Sequence, residues 1–149
     1  MTKLPVVHDP RFVTASILGV AGVAHLALPA LIDQIVPYWM PGPPRLTTYV
    51  SGATELGVAA LLLRRRSQRL GGLLAMATFI GVFPANVQSA LDGGIAGVPP
   101  PFDSPLVAWL RLPLQIPLIW VAWRAACVRD ERDFHPQRDR WMMTASPSR

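Results

Sequence analysis

Six polar side chains interrupt otherwise apolar stretches of this 149-residue chain: His25, Ser51, Glu55, Asn86, Arg111 and Gln115. A carboxylate and an imidazole can exchange a proton, while guanidinium and carboxamide groups donate hydrogen bonds to carbonyl oxygens. Glu55 follows Ser51 by four residues and Gln115 follows Arg111 by four, so on a helix each pair shares a face. Other chemistries lack their parts. Cys127 is the single cysteine, which excludes an intrachain disulfide, a dithiol relay and a multi-thiolate metal or iron–sulfur site. His8, His25 and His135 are too scattered to form a metal site by local spacing, and no glycine-rich phosphate loop, haem-attachment motif or nucleophilic triad is present. The residues therefore suggest a ligand-binding set, with no catalytic role assigned to any of them.

The elements that must hold this set are apolar. The chain is 51% hydrophobic and 15% charged, where a soluble domain carries about 25% charged residues. Four uninterrupted apolar spans cover 12–32, 46–63, 70–91 and 106–123, and only Glu55 and Arg111 within them are formally charged. A hydrocarbon layer of about 30 Å needs about 20 helical residues, which each span approaches. None shows the polar face of a soluble amphipathic helix, and none alternates as a barrel strand does. These features predict an all-α, integral membrane four-helix bundle with residues 1–128 as one transmembrane domain and 129–149 as a charged tail. The first span exceeds the apolar core of a signal peptide and is expected to be a retained helix.

The basic residues set direction. Lys3 and Arg11 precede the first span, Arg64, Arg65, Arg66 and Arg69 lie in the second connection, and Arg124 to Arg149 close the chain. The first connection has only Arg45, and 92–105 has no basic residue. Because Lys and Arg favour the cytoplasmic side, both termini are expected in the cytoplasm. The net charge of +5 is thus spent on topology, with no patch for nucleic acid. Proline collects on the opposite side: Pro37, Pro41, Pro43 and Pro44 in the first connection, Pro99, Pro100, Pro101 and Pro105 in the third. Those connections are expected to be short, stiff and non-helical, lidding the outer mouth. Small residues at helical spacing (Ala15, Gly19 and Gly22; Ala53, Gly57 and Ala60; Ala77, Gly81 and Ala85) are expected to form the packing faces.

With alternate helices antiparallel, the helical rise puts His25 about 10 Å, Glu55 about 14 Å, and Asn86 and Arg111 about 8 Å below the outer ends of their helices. All four helices thus bring polar groups to one layer. A charged side chain at mid-membrane costs roughly 2.5–3.5 kcal/mol on insertion scales, so such groups should turn inward and pair. Glu55 is expected to meet Arg111, with Asn86, Gln115 and His25 completing a pocket. Two other readings stay open: an ion pair that only fixes helix register, or an Arg111 that reaches outward to phosphate and leaves Glu55 protonated. Pro29, Pro84, Pro113 and Pro117 lie in or beside the same half, either kinking the helices around a cavity or serving as ordinary transmembrane prolines.

The run AGVAHLALPALIDQIVPYWMP, together with SGATELG at 51–57, FPAN at 83–86 and WLRLPLQ at 109–115, resembles the DoxX-like family of small four-helix bacterial membrane proteins. The resemblance spans about 12–123. It implies a bacterial inner-membrane location and a redox protein partner, since some relatives are subunits of a thiosulfate:quinone oxidoreductase and others accompany membrane oxidoreductase complexes. Quinone is the cofactor it implies, and it supplies no agreed catalytic residues. A single cysteine departs from thiol–quinone enzymes with paired thiols, and Cys127 reads as a small apolar filler. Two function classes remain, with catalysis left open in both. One is a redox-associated subunit binding quinone in the polar layer; the other is a non-catalytic scaffold for a partner protein, or a binder of a lipid-like ligand. A homo-oligomer is compatible with either. The orientation has a direct check: a cysteine introduced at Ser104 should react with an impermeant thiol reagent from outside the cell, and one at Ser67 should not, the reverse pattern inverting the topology.

Overall fold

The computed structural model describes residues 9–95, 100, 101 and 103–127. The described residues form helices α1 (Pro10–Ala27), α2 (Pro29–Ile32), α3 (Pro44–Leu63), α4 (Gln68–Leu91) and α5 (Pro105–Cys127), with no strand among them. Proline opens α1, α2, α3 and α5. It fits there because the first N–H groups of a helix have no intrahelical acceptor, so the missing donor costs nothing. Asp9 caps α1, its Oδ1 accepting from the backbone N–H of Arg11 at 3.0 Å.

Four of these helices, α1, α3, α4 and α5, are long and apolar enough to cross a membrane. The second and third extend the expected spans by two residues each and the fourth by five, but the first departs from expectation. Residues 12–32 do not form one helix: Leu28 leaves the helical region at φ −126° and ψ 47°, and Pro29 starts the separate turn α2. Proline biases the residue before it away from helical geometry, and Leu28 follows that bias, whereas Phe83, Leu112 and Ile116, before prolines inside α4 and α5, stay helical. A 3₁₀ turn, Asp33–Ile35, follows. The first connection is therefore partly helical, contrary to the expectation from its prolines. The tail at 129–149 lies outside the described residues.

Helices adjacent in the chain are adjacent in space, with α5 closing the ring against α1, so α3 and α5 face each other across the diagonal. The core is built of Ala15, Leu18, Val58, Ala59, Leu62, Ala75, Phe79, Ala122 and Ala125. Large apolar side chains point outward instead: Val20 and Ile116 are 73% and 72% exposed. Cys127 is exposed at the end of α5, which corrects its reading as a packed filler.

The close crossings use other glycines than those expected. A Cβ on Gly22 would lie 2.9 Å from the Gly52 carbonyl, and one on Gly52 would lie 2.7 Å from His25 Cβ. At the opposite end, a Cβ on Gly71 would meet Leu62 N at 2.7 Å and one on Gly72 would meet Ala126 N at 2.5 Å. Gly19, Gly57 and Gly81 have open space around them, and Ala53, Ala60 and Ala77 are exposed. Only the Ala15 and Gly22 face holds as expected. Gly72→Ala is expected to destabilise the bundle by about 1–3 kcal/mol because backbone must move. Gly57→Ala should change it by less than about 1 kcal/mol, toward greater stability. Thermal unfolding in mild detergent measures both.

Candidate functional site

The α1–α3 crossing sets the site. With no side chain on Gly22 or Gly52, the two backbones approach until His25 and Glu55, one helical turn further along, face each other. His25 Nδ1 stands 3.1 Å from Glu55 Oε2. The same nitrogen lies 2.8 Å from the Ala21 carbonyl oxygen, and a carbonyl only accepts, so Nδ1 carries a hydrogen and donates it to Ala21. Glu55 is 5% exposed. Its Oε2 is enclosed and receives no hydrogen bond from any described residue.

Across the cavity from this pair stands Asn86 on α4. Its Nδ2 donates to Gln115 Oε1 at 3.4 Å, and Gln115 Nε2 donates to the Phe79 backbone carbonyl. Gln115 is 4% exposed, on the α5 stripe Ala108, Gln115 and Ala122 that packs inward. The α5 carboxamide therefore acts from behind, holding the Asn86 side chain in one orientation.

His25, Ser51, Glu55 and Asn86 line one cavity of about 220 Å³. Gln115 supports it through Asn86, and Arg111 is not among its walls. The expected Glu55–Arg111 contact is replaced by Glu55–His25, because Arg111 rides on the helix diagonal to α3 whereas His25 rides on a neighbour. Arg111 is part-buried and forms no hydrogen bond or ion pair among the described residues. Gln88, on the far side of α4 from the cavity, donates instead to Asp92 Oδ1 at 2.9 Å.

The mouth of the cavity was not legible from the polar residues within the spans. Ile32, Ile35, Val36, Pro37 and Met40 wall it, all from the first connection, with Thr47 and Thr48 from α3. Asp33 pins that segment down. Its Oδ1 accepts from the buried Thr48 hydroxyl at 2.6 Å and its Oδ2 from Arg45 Nε at 2.8 Å. The one available signal was an acid and a base in a connection otherwise free of charge. The Thr48 hydroxyl, and after it the Arg45 guanidinium, hold the Asp33 carboxyl below its ordinary value of 3.8.

A family model described as a domain of unknown function (DUF8561) matches residues 14–126. The chain belongs to this family. No curated protein and no solved structure matches it. The DUF8561 match takes in all six polar residues, the Asp33 latch, α3 and α4 whole and most of α1 and α5, and ends one residue before Cys127. The pocket is thus a feature of the DUF8561 region itself.

Because the native state lowers the pKa of Asp33, the latch contributes stability above the carboxyl's ordinary value and loses it as pH falls below 3.8 through the lower native value. Limited proteolysis should find the 28–43 segment protected at neutral pH and cut faster below that value. Asp33→Asn should be cut faster at neutral pH already.

Proposed function

We propose that the chain is a DoxX-like, multi-pass protein of the bacterial inner membrane, with both termini in the cytoplasm, that binds a small lipid-soluble ligand in the pocket beneath its first connection. Outward-facing apolar side chains on every long helix support the membrane placement, since water would penalise them and lipid would not. The asymmetry of arginine between connections supports the orientation.

The observation that carries the binding reading is the cavity of about 220 Å³ around which His25, Ser51, Glu55 and Asn86 are gathered from three helices. A few polar groups converging on an otherwise apolar cavity fix the orientation of a bound molecule. The quinone class is the ligand that the DoxX-like resemblance favours. The cavity fits its head: Ser51 and Asn86 can meet ring oxygens, the His25–Glu55 pair can hold or release a proton there, and Ile32, Ile35 and Val36 receive the apolar tail. A bound quinone would supply two-electron redox chemistry. With one cysteine the chain has no dithiol relay of its own, so electrons would enter from a redox protein partner.

Mass spectrometry of lipid extracts from gently purified protein tests the reading. A quinone-class compound is expected at near-stoichiometric level with the natural chain and reduced at least tenfold with Glu55→Gln. A stoichiometric protein partner with no small molecule would support the scaffold reading in its place.

A further inference from the structure

Resting on the pocket reading, we propose that the cavity is entered from the side, through a slot between α3 and α4 at Gly81 that opens onto the hydrocarbon layer. The ligand is then an amphipathic molecule whose head lies among the polar groups and whose apolar chain passes out past Gly81.

The cavity walls trace the slot. On α4 they are Asn86, Val82, Ala85 and Gly81, and at about 100° per residue these sweep about 140° around the helix. Asn86 ends that arc on the core side, held by Gln115. Gly81 ends it within about 60° of Ala77 and Pro84, which lie on the exposed face of α4. Gly81 is itself exposed, and a Cβ built on it would meet no described neighbour within 4 Å. The α3 wall grades in the same way, from buried Thr48 and Glu55 to part-buried Thr47 and Ser51. A wall that runs from the core to the exposed face marks an opening.

The two helices part where the slot lies. At their other end α3 and α4 touch backbone to backbone, since a Cβ on Gly71 would stand 2.7 Å from Leu62 N and 3.0 Å from the Leu61 carbonyl carbon. Equal rises from that contact, back from Leu61 to Ser51 and on from Gly71 to Gly81, bring Ser51 and Gly81 to one level of the antiparallel pair. Both line the cavity there.

The outer end is closed. Asp33 fastens the first connection to Thr48 and Arg45, and Pro37 of that segment, which lines the cavity, is buried. Gly81 lies about 15 Å from the Leu91 end of α4, half of a hydrocarbon layer about 30 Å thick. The slot therefore faces acyl chains, and a molecule that uses it must dissolve in hydrocarbon.

The test places a reactive chain end at that depth. Full-length protein is reconstituted in phosphatidylcholine vesicles containing a phosphatidylcholine with a diazirine at the end of one acyl chain, irradiated, and mapped by peptide mass spectrometry. Label on Ser51 and Asn86 is expected within about threefold of that on Ile116, which is 72% exposed on α5. Gly81→Phe should cut the Ser51 and Asn86 label at least fivefold and leave that on Ile116 unchanged. Its thermal midpoint should stay within a few degrees of the natural chain, because the ring enters open space. Val20→Phe, which adds bulk to the exposed face of α1, should change none of these. Cavity label that survives Gly81→Phe, or no cavity label in the natural chain, would overturn the side entry and leave the pocket reading standing. A rise of fivefold or more in Asp33→Asn would overturn it too, assigning entry to the first connection. If Gly81→Phe does not fold, Gly81→Leu replaces it, with at least a threefold loss expected. The pocket reading is decided separately, by the lipid extracts of the natural chain.

Discussion

One buried carboxylate governs the arrangement of this bundle. Glu55 is enclosed among apolar helices, where an unpaired charge is severely disfavoured, and the structure answers with an imidazole nitrogen, His25 Nδ1, 3.1 Å from its Oε2. That answer requires α1 and α3 to touch backbone to backbone, which requires glycine at 22 and 52. Any Cβ at either place would push His25 away from Glu55. The packing constraint and the polar site are therefore one device, since the glycines that let the helices cross also set the distance between the two groups able to exchange a proton.

The remaining parts are arranged around that device in layers. Gln115 stands behind Asn86 and binds the Phe79 carbonyl, so the far wall of the cavity is held by a side chain that does not itself face it. Asp33 closes the near side by joining the first connection to α3 through Thr48 and Arg45. At the other end, Gly71 and Gly72 bring α4 against α3 and α5, and Gln68 donates to the Ala125 carbonyl at 3.0 Å. A tightly locked end thus supports an end that contains space.

Much of this was legible along the chain. Apolar run length reported the four long helices, and 1.5 Å per residue brought His25, Ser51, Glu55 and Asn86 to a common level, where they line one cavity. Depth is a one-dimensional quantity and survives folding. Azimuth does not: which residue on a neighbouring helix meets Glu55 depends on how the helices are ordered and rotated around the bundle. Charge complementarity pointed to Arg111, yet α5 stands diagonal to α3 and the partner came from α1. The same loss of angular information misassigned the small residues. Gly57 and Gly81 repeat at helical spacing as well as Gly52 and Gly72 do, and only contact shows which of them face a helix.

By itself, then, the amino-acid sequence determined the helical class, the number of long apolar helices and the level of the polar groups, because these follow from local hydrophobicity and the fixed rise of a helix. Only the tertiary structure decided that Glu55 lies by His25, that Gln115 orients Asn86, and that Asp33 fastens a partly helical segment over the cavity. Those facts are set by contacts between residues up to 30 positions apart, where rotation about helix axes and the α3–α5 diagonal choose among pairings that residue type alone leaves equivalent.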